Sequence, residues 1–402
     1  MKDGIFYTKL RRKGVHGGNM ILIDFYDSDV ISTLMPAYTL KPEKIYMLYD
    51  SARCTDRQLS NVKKALLGRL KKTTIATVEC DSYSVASVQS AVNLIMAQNP
   101  SAQFAMDIKG GPDLMVASGM NFAREKGVQI FYLSEDDKYL YDVYNPSEKF
   151  YTEKIKISDY LVAEGAKQYA NSHEMPEKDE FYAITKMCET IFDNMNAWSK
   201  YQKFMEEAVA GEGRYDFTFD SRRFPRNISG SIETLNDAFE KYGFITQIAR
   251  HYYKINSHKA KQYMTTYGIW LELYVYINAL KCYNDVYLGF IIDWDSSLTE
   301  DTNDNEIDVI VMENSRPVFI SCKTRKPDAK DLCEVGFLAK RLGGERAKSV
   351  LATTYPVRET GDTKNSIYSR MKKFDIGLIE ARDFRKRETE VVFNNAFKPK
   401  FD

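Results

Sequence analysis

The chain has 402 residues, 44% of them hydrophobic and 28% charged, with 21 glycines and 11 prolines. That length suits two or three domains, and the composition excludes wholesale disorder, a collagen-like repeat and a disulfide scaffold. The net charge is zero, yet the stretch from Lys323 onward holds 19 basic against 12 acidic residues, an excess suited to a polyanion or to an ordinary solvated surface.

Residues 1–19 are basic and lack the apolar stretch of a signal peptide. Gly17-Gly18-Asn19 before Met20 can be encoded by a ribosome-binding-site-like sequence, so 1–19 is expected to be an extension without fold and Met20 the start. Apolar runs then recur at Ile21–Phe25, Ile45–Tyr49, Thr74–Val78, Phe104–Ile108 and Val128–Leu133, a spacing that βα units require. Leu59, Val62, Leu66 and Leu70 share one helical face. A further helix is expected from Pro112 to Lys126, stopped by Gly127. Residues 20–150 therefore read as a Rossmann-like, doubly wound parallel sheet.

Residues 151–260 read as mainly helical. Phe181, Ile184, Cys188, Ile191, Met195 and Trp198 form a long apolar stripe, read as core packing. In the loop Gly211–Gly230, Arg222-Arg223-Phe224-Pro225-Arg226 could grip a phosphate backbone or simply be solvated. A second α/β pattern fills 261–402: a helix at Ile269–Leu280, strands at Val286–Ile292, Ile307–Met312 and Val318–Cys322, a helix at Lys330–Leu342 closed by Gly343-Gly344, and a strand at Ser349–Thr353. Three consecutive strands point to a mixed sheet.

Six cysteines without a C-x-x-C pair and only four histidines make a His-based triad or His-rich metal site improbable, so hydrolytic chemistry is expected to rest on carboxylates. Glu272 on the helix, Asp308 in the second strand and Lys323 ending the third can converge there. A carboxylate can hold Mg²⁺, which lowers the pKa of a water and neutralises a scissile phosphate, and a lysine can stabilise the charge that develops. Written out as Glu272, Asn305-Glu306-Ile307-Asp308-Val309 and Ile320-Ser321-Cys322-Lys323, these residues resemble the PD-(D/E)XK nuclease core over about 267–355. The resemblance implies Mg²⁺ or Mn²⁺ held by Glu272, Asp308 and the backbone carbonyl of Cys322, with Lys323 at the phosphate. Ser321 departs from it, standing where the family carries Glu or Asp. Glu334 in the following helix is the expected substitute. Asp293 and Asp295 are weaker candidates, and Glu306 is read as alternating away from Asp308.

The first half has its own candidate site. Asp107-Ile108-Lys109-Gly110-Gly111-Pro112-Asp113 opens a helix after the fourth strand, while Asp27-Ser28 and Asp50-Ser51 end the first and second. Loops at the carboxyl ends of strands in open α/β sheets bind ligands, and helix N–H groups attract anions. No dinucleotide or ATP fingerprint is present. A Rossmann-like sensor with a Gly-Gly loop, followed by this nuclease pattern, resembles the CARF-domain ancillary nucleases of type III CRISPR systems.

That resemblance implies a homodimer binding a cyclic oligoadenylate, usually the tetra-adenylate, through Asp27, Ser28, Ser51, Lys109, Gly110, Gly111, Pro112 and Asp113. Binding would activate metal-dependent cleavage of DNA or RNA. The alternative is a ligand-gated nucleic-acid-binding regulator with a degenerate nuclease fold. No apolar run approaches the ~20 residues of a membrane span, so no membrane association and a cytoplasmic location are expected.

Overall fold

A computed structural model describes residues 19–145, 147–209, 217–224, 229–293, 305–343, 346–360 and 366–398. The expected extension at 1–18 lies outside these residues, as do Pro225, Arg226, Asp295 and Gly344. The chain divides into two compact units, the first running to Gly165 and the second starting at Ala166.

In the first unit, β1 (Met20–Phe25), α1 (Val30–Leu40), β2 (Lys44–Tyr49), α2 (Asp56–Arg69), β3 (Thr74–Glu79), α3 (Val85–Gln98), β4 (Gln103–Asp107), α4 (Asp113–Lys126) and β5 (Gln129–Leu133) alternate as anticipated. All six residues of β1 are buried, as the centre of a parallel sheet covered on both faces requires. Thr55 and Gln58 form a reciprocal capping box at the start of α2. Pro112 caps α4, and Gly127 ends it in the left-handed region at φ 68°. Beyond β5 the sheet departs from pure parallel geometry. Strands β6 (Tyr139–Asp142) and β7 (Lys149–Tyr151) add an antiparallel meander, giving the order β3-β2-β1-β4-β5-β6-β7, and α5 (Ile157–Glu164) closes the unit.

The second unit opens with a strand, β8 (Lys167–Asn171), and continues through α6 (Phe181–Asp193), α7 (Met195–Val209), β9 (Thr218–Asp220), α8 (Ser229–Lys241), β10 (Ile245–Ala249), β11 (Tyr252–Ile255) and α9 (His258–Thr265). The helical middle thus also carries a small sheet, β10-β11-β9. The apolar stripe spans two helices divided at Asn194, with Ile184, Cys188, Ile191 and Trp198 in the core. Phe224 is buried and stacked on Tyr201 at 4.7 Å, while Arg222 is paired with Asp220 at 2.7 Å, so this pair serves packing and local charge balance.

The main sheet follows: α10 (Ile269–Leu280), β12 (Val286–Asp293), β13 (Asn305–Glu313), β14 (Arg316–Lys323), α11 (Ala329–Gly343), β15 (Lys348–Thr353), α12 (Ile367–Lys373), β16 (Ile376–Glu380), α13 (Asp383–Lys386) and α14 (Thr389–Phe397). It is mixed, as three consecutive strands predict, in the order β16-β15-β14-β13-β12-β8, with β8 from the segment before the helices pairing antiparallel to β12. Among the described residues no helix is long and apolar enough to cross a membrane.

Candidate active site

Turn chemistry sets the site of the second unit. Asn314 and Ser315 both have positive φ, 49° and 66°, the signature of a two-residue hairpin whose twist matches its strands. It fixes the β13–β14 register from Glu313 opposite Arg316 to Val309 opposite Ile320. The same register, continued, sets Asp308 opposite Ser321 and Glu306 opposite Lys323. Residues two apart in a strand share a face, so Glu306 and Asp308 lie on one side, and the expectation that alternation separates them is corrected. Ile307 and Cys322 take the other side and are buried.

Where the backbone ladder stops, the Asp308 side chain takes its place. Asp308 Oδ2 accepts the Cys322 N–H at 2.6 Å and the Ser321 hydroxyl at 3.3 Å. Ser321 therefore steadies the acid. Loss of water around Asp308 and the charge of Glu272 push its carboxyl above the usual range, against the opposing pull of Lys323 and the Cys322 N–H.

Glu272 comes from the first turn of α10, where the helix dipole favours an acid. All of α10 from Ile269 to Ala279 is buried, so Glu272 faces the interior at 9% exposure. There it meets a residue that sequence reasoning missed. His173, two residues beyond β8, puts Nε2 3.0 Å from Glu272 Oε2 and 3.9 Å from Glu306 Oε1. Burial works against protonation of this imidazole, but the Glu272 hydrogen bond and the charges of Glu272, Glu306 and Asp308 outweigh it and raise its pKa.

His173, Glu272 and Glu306 each offer one ligand atom, all within 4.8 Å of one another, so their donor set fits a divalent metal. His173 Nδ1 is buried without a hydrogen-bond partner, so Nε2 is the nitrogen that faces the carboxylates. Lys323 is half-buried, and its charge acts on Asp308. Glu334 is exposed on α11, outside this cluster, because the turn of α11 on which it falls faces solvent at 333 and 334 and the core at 331, 332 and 335. Burial drives the Cys322 thiol well above its ordinary pKa, which leaves that residue its backbone groups. No sequence motif marked His173; the signal was only its position beside the polar strand Lys167–Asn171.

The three sensor loops converge for a topological reason. In the order β3-β2-β1-β4-β5 the parallel strands reverse direction of progress between β1 and β4, and the loops after β1, β2 and β4 stand side by side at their carboxyl ends. A Cβ on Gly110 would lie 2.1 Å from the Phe25 carbonyl oxygen, so this glycine lets the loop press against the end of β1. Gly111 sits at φ 84°, a conformation that glycine adopts without strain.

Lys109 is already engaged: its Nζ is 3.2 Å from Glu135 and 3.4 Å from the Tyr132 hydroxyl. Asp27 accepts the Asp29 N–H at 2.7 Å, and Ser51 donates to Glu79 at 2.5 Å. Ser28 and Asp113 are exposed, and Pro112 is half-buried. Beneath this rim Asp24 and Asp107, neighbours on β1 and β4, are buried at 1% and 0% exposure.

Two family models match the chain: residues 33–160 match the Card1 CARF domain, and residues 258–389 match the Card1-like endonuclease domain. Comparison with curated proteins found no match. Among solved structures, protein VC1899 from Vibrio cholerae is similar in fold at 15% identity and TM-score 0.76, covering 94% of this chain and 99% of that one. Can2 from Sulfobacillus thermosulfidooxidans, solved in complex with cyclic tetra-adenylate, is similar at 17% identity and TM-score 0.66, covering 92% and 98%.

Proposed function

The chain belongs to the Card1-like family, in which a CARF domain is joined to an endonuclease domain, and from that premise we propose that it is a metal-dependent nuclease of type III CRISPR defence, activated by cyclic tetra-adenylate and acting on DNA, RNA or both. The observation that carries the chemistry is the gathering of Glu272, Glu306 and Asp308 beside Lys323 at the ends of β13 and β14. Can2 in complex with cyclic tetra-adenylate supports the choice of activator.

When bound, Mg²⁺ or Mn²⁺ supplies a water of lowered pKa and neutralises charge on the scissile phosphate. Glu272, Asp308 and the Cys322 carbonyl would hold it, with Glu306 rather than the exposed Glu334 as the further carboxylate. Ser321 steadies Asp308, and Lys323 faces the phosphate and stabilises its developing charge. The basic excess after Lys323 suits a polyanionic substrate.

In the first unit, the loops carrying Asp27, Ser28, Ser51 and Lys109–Asp113 would meet the activator. A ring of repeating nucleotides is matched by a two-fold homodimer presenting the same loops twice. The alternative reading, a nucleic-acid-binding regulator with a degenerate nuclease fold, drew on Ser321 standing in an acidic position. Glu306 in the cluster weakens that ground.

The test is one cleavage panel of supercoiled duplex DNA, single-stranded DNA and RNA, with Mg²⁺ or Mn²⁺, with and without cyclic tetra-adenylate. Light scattering gives the mass alongside. Metal-dependent cutting that requires the activator is expected from a dimer; cutting that ignores the activator, or no cutting of any substrate, overturns the proposal.

A further inference from the structure

His173 is seated with more structure than an incidental buried histidine needs. The residue is 8% exposed, and the backbone on either side is clamped by α9. Gln262 donates to the Ser172 carbonyl at 3.2 Å and accepts the Glu174 N–H at 3.0 Å, while the Tyr263 hydroxyl donates to the Glu174 carbonyl at 3.2 Å. On the sheet side, the Ser172 N–H bonds the Gly289 carbonyl at 2.8 Å.

Gly289 itself is a cradle. It lies at φ 55°, and a Cβ there would stand 2.2 Å from Ser172 Oγ and 3.1 Å from His173 Cδ2. A side chain at 289 would thus displace the histidine from the carboxylates. An ordinary His–Glu ion pair would account for the 3.0 Å contact with Glu272, but not for the convergence of Glu306 on the same nitrogen.

We infer that His173 is a nitrogen ligand of the metal in this site, forming with Glu272 and Glu306 a mixed nitrogen–oxygen donor set that selects a first-row transition ion such as Mn²⁺ over Mg²⁺. The selectivity follows from ligand chemistry: Mg²⁺ demands near-octahedral oxygen ligands and sheds water reluctantly, whereas imidazole is a ligand of transition ions. On binding, Nε2 exchanges its hydrogen bond to Glu272 for the ion, and the ring proton resides on Nδ1. The inference rests on reading this cluster as the metal site of the nuclease, and it adds to that reading a residue from outside the helix–strand–strand core.

The experiment is Mn²⁺ titration of the full chain, without nucleic acid or activator, read by pulsed electron paramagnetic resonance. Wild-type protein is expected to show the nitrogen coupling of a directly bound imidazole, and folded His173→Gln to lack it. The variant's Mn²⁺ affinity should fall about ten- to hundredfold, the range known for metal sites that lose a supporting group, with a much smaller change for Mg²⁺. Bound Mn²⁺ without nitrogen coupling, coupling that survives in His173→Gln, or no Mn²⁺ binding at millimolar concentration overturns the assignment. If the variant does not fold, the wild-type spectrum decides alone. Nitrogen-coupled Mn²⁺ in a protein that cuts nothing would sink the proposed function and leave the ligand standing; cleavage with a nitrogen-free spectrum would do the reverse.

Discussion

Each unit holds a pair of acids brought close together, and the two pairs are built oppositely. Asp24 and Asp107 are sealed beneath the sensor loops, and burial raises both carboxyls, each reinforced by the other or by Asp27. Thr33 donates to Asp24 at 3.0 Å and the Lys109 N–H to Asp107 at 3.2 Å, while Asp24 Oδ1 and Asp107 Oδ2 have no partner. A proton held by the pair supplies the donor that is otherwise absent. Glu272 and Asp308 instead stand with His173 and Lys323 beside them and with Glu306 on the same face. The difference teaches how to tell two pairs of acids apart: one pair is sealed in the fold, where burial favours keeping a proton between them, and the other is furnished with a lysine and a histidine and left able to take a cation.

The contrast breaks most readily at its charged end. Asp308→Ala and Lys323→Ala should each lower cleavage by on the order of 10²-fold or more, as the loss of an electrostatic catalytic group does, while calorimetry still detects activator binding. Wild-type rates in either folded variant would remove the active-site half of the comparison. Next in size, Glu306→Ala should weaken metal binding by about ten- to hundredfold, whereas Glu334→Ala should be close to neutral. Titration with Mn²⁺ ranks the two, and the reverse ranking would return the further carboxylate to α11.

In the first unit the expected effects are smaller. Gly110→Ala forces a Cβ against the Phe25 carbonyl and should cost about 1–3 kcal/mol in urea unfolding, the usual penalty of overpacking; an unchanged midpoint would show that the loop can lift from β1. Lys109→Ala removes one charged hydrogen-bond donor and should raise the activator concentration for half-maximal cleavage by roughly tenfold, with little change at saturation. A lowered saturated rate instead would place Lys109 outside the sensor's ligand contacts.

The smallest effect tests the sealed pair. Asp24 and Asp107 are raised above the unfolded aspartate range near ~3.9, so the folded state keeps protons that the unfolded chain has released. Their contribution is therefore most favourable at low pH and is lost as pH rises through the folded values. Asp24→Asn, which keeps an acceptor for Thr33, should gain in melting temperature on the wild type as pH rises. A gap that widens toward acid would mean that the pair is ionised in the folded protein.

Much of this was legible from the sequence, for identifiable reasons. The central strands β1 to β5 and β12 to β15 are apolar runs long enough to be seen without partners. Asp308 and Lys323 could be placed near each other because adjacent antiparallel strands turn a separation in sequence into nearness in space. Edge strands were not legible: Lys167-Gln168-Tyr169-Ala170-Asn171 carries no alternation that distinguishes it from a loop. It is a strand because β12 offers it an unpaired edge. His173 was hidden with it, 99 residues before Glu272 and brought to it by that pairing and by the grip of α9. Glu306 was visible but assigned to the wrong face, although the period of two sufficed to place it.

The edge position of β8 also bears on how portable the catalytic half is. A fragment starting at residue 258, where the endonuclease match begins, would keep Glu272, Glu306, Asp308 and Lys323 and yet leave β8 and His173 behind. Its six-stranded sheet would be cut to five, with the outer edge of β12 bare and ready to pair with another chain. Gly289 would then face the room left by Ser172 and His173. Grafted onto a different sensor, such a fragment would offer that bare edge to a second copy and, if His173 is a metal ligand as proposed, would lack its nitrogen donor; one begun at Ala166 keeps both β8 and His173.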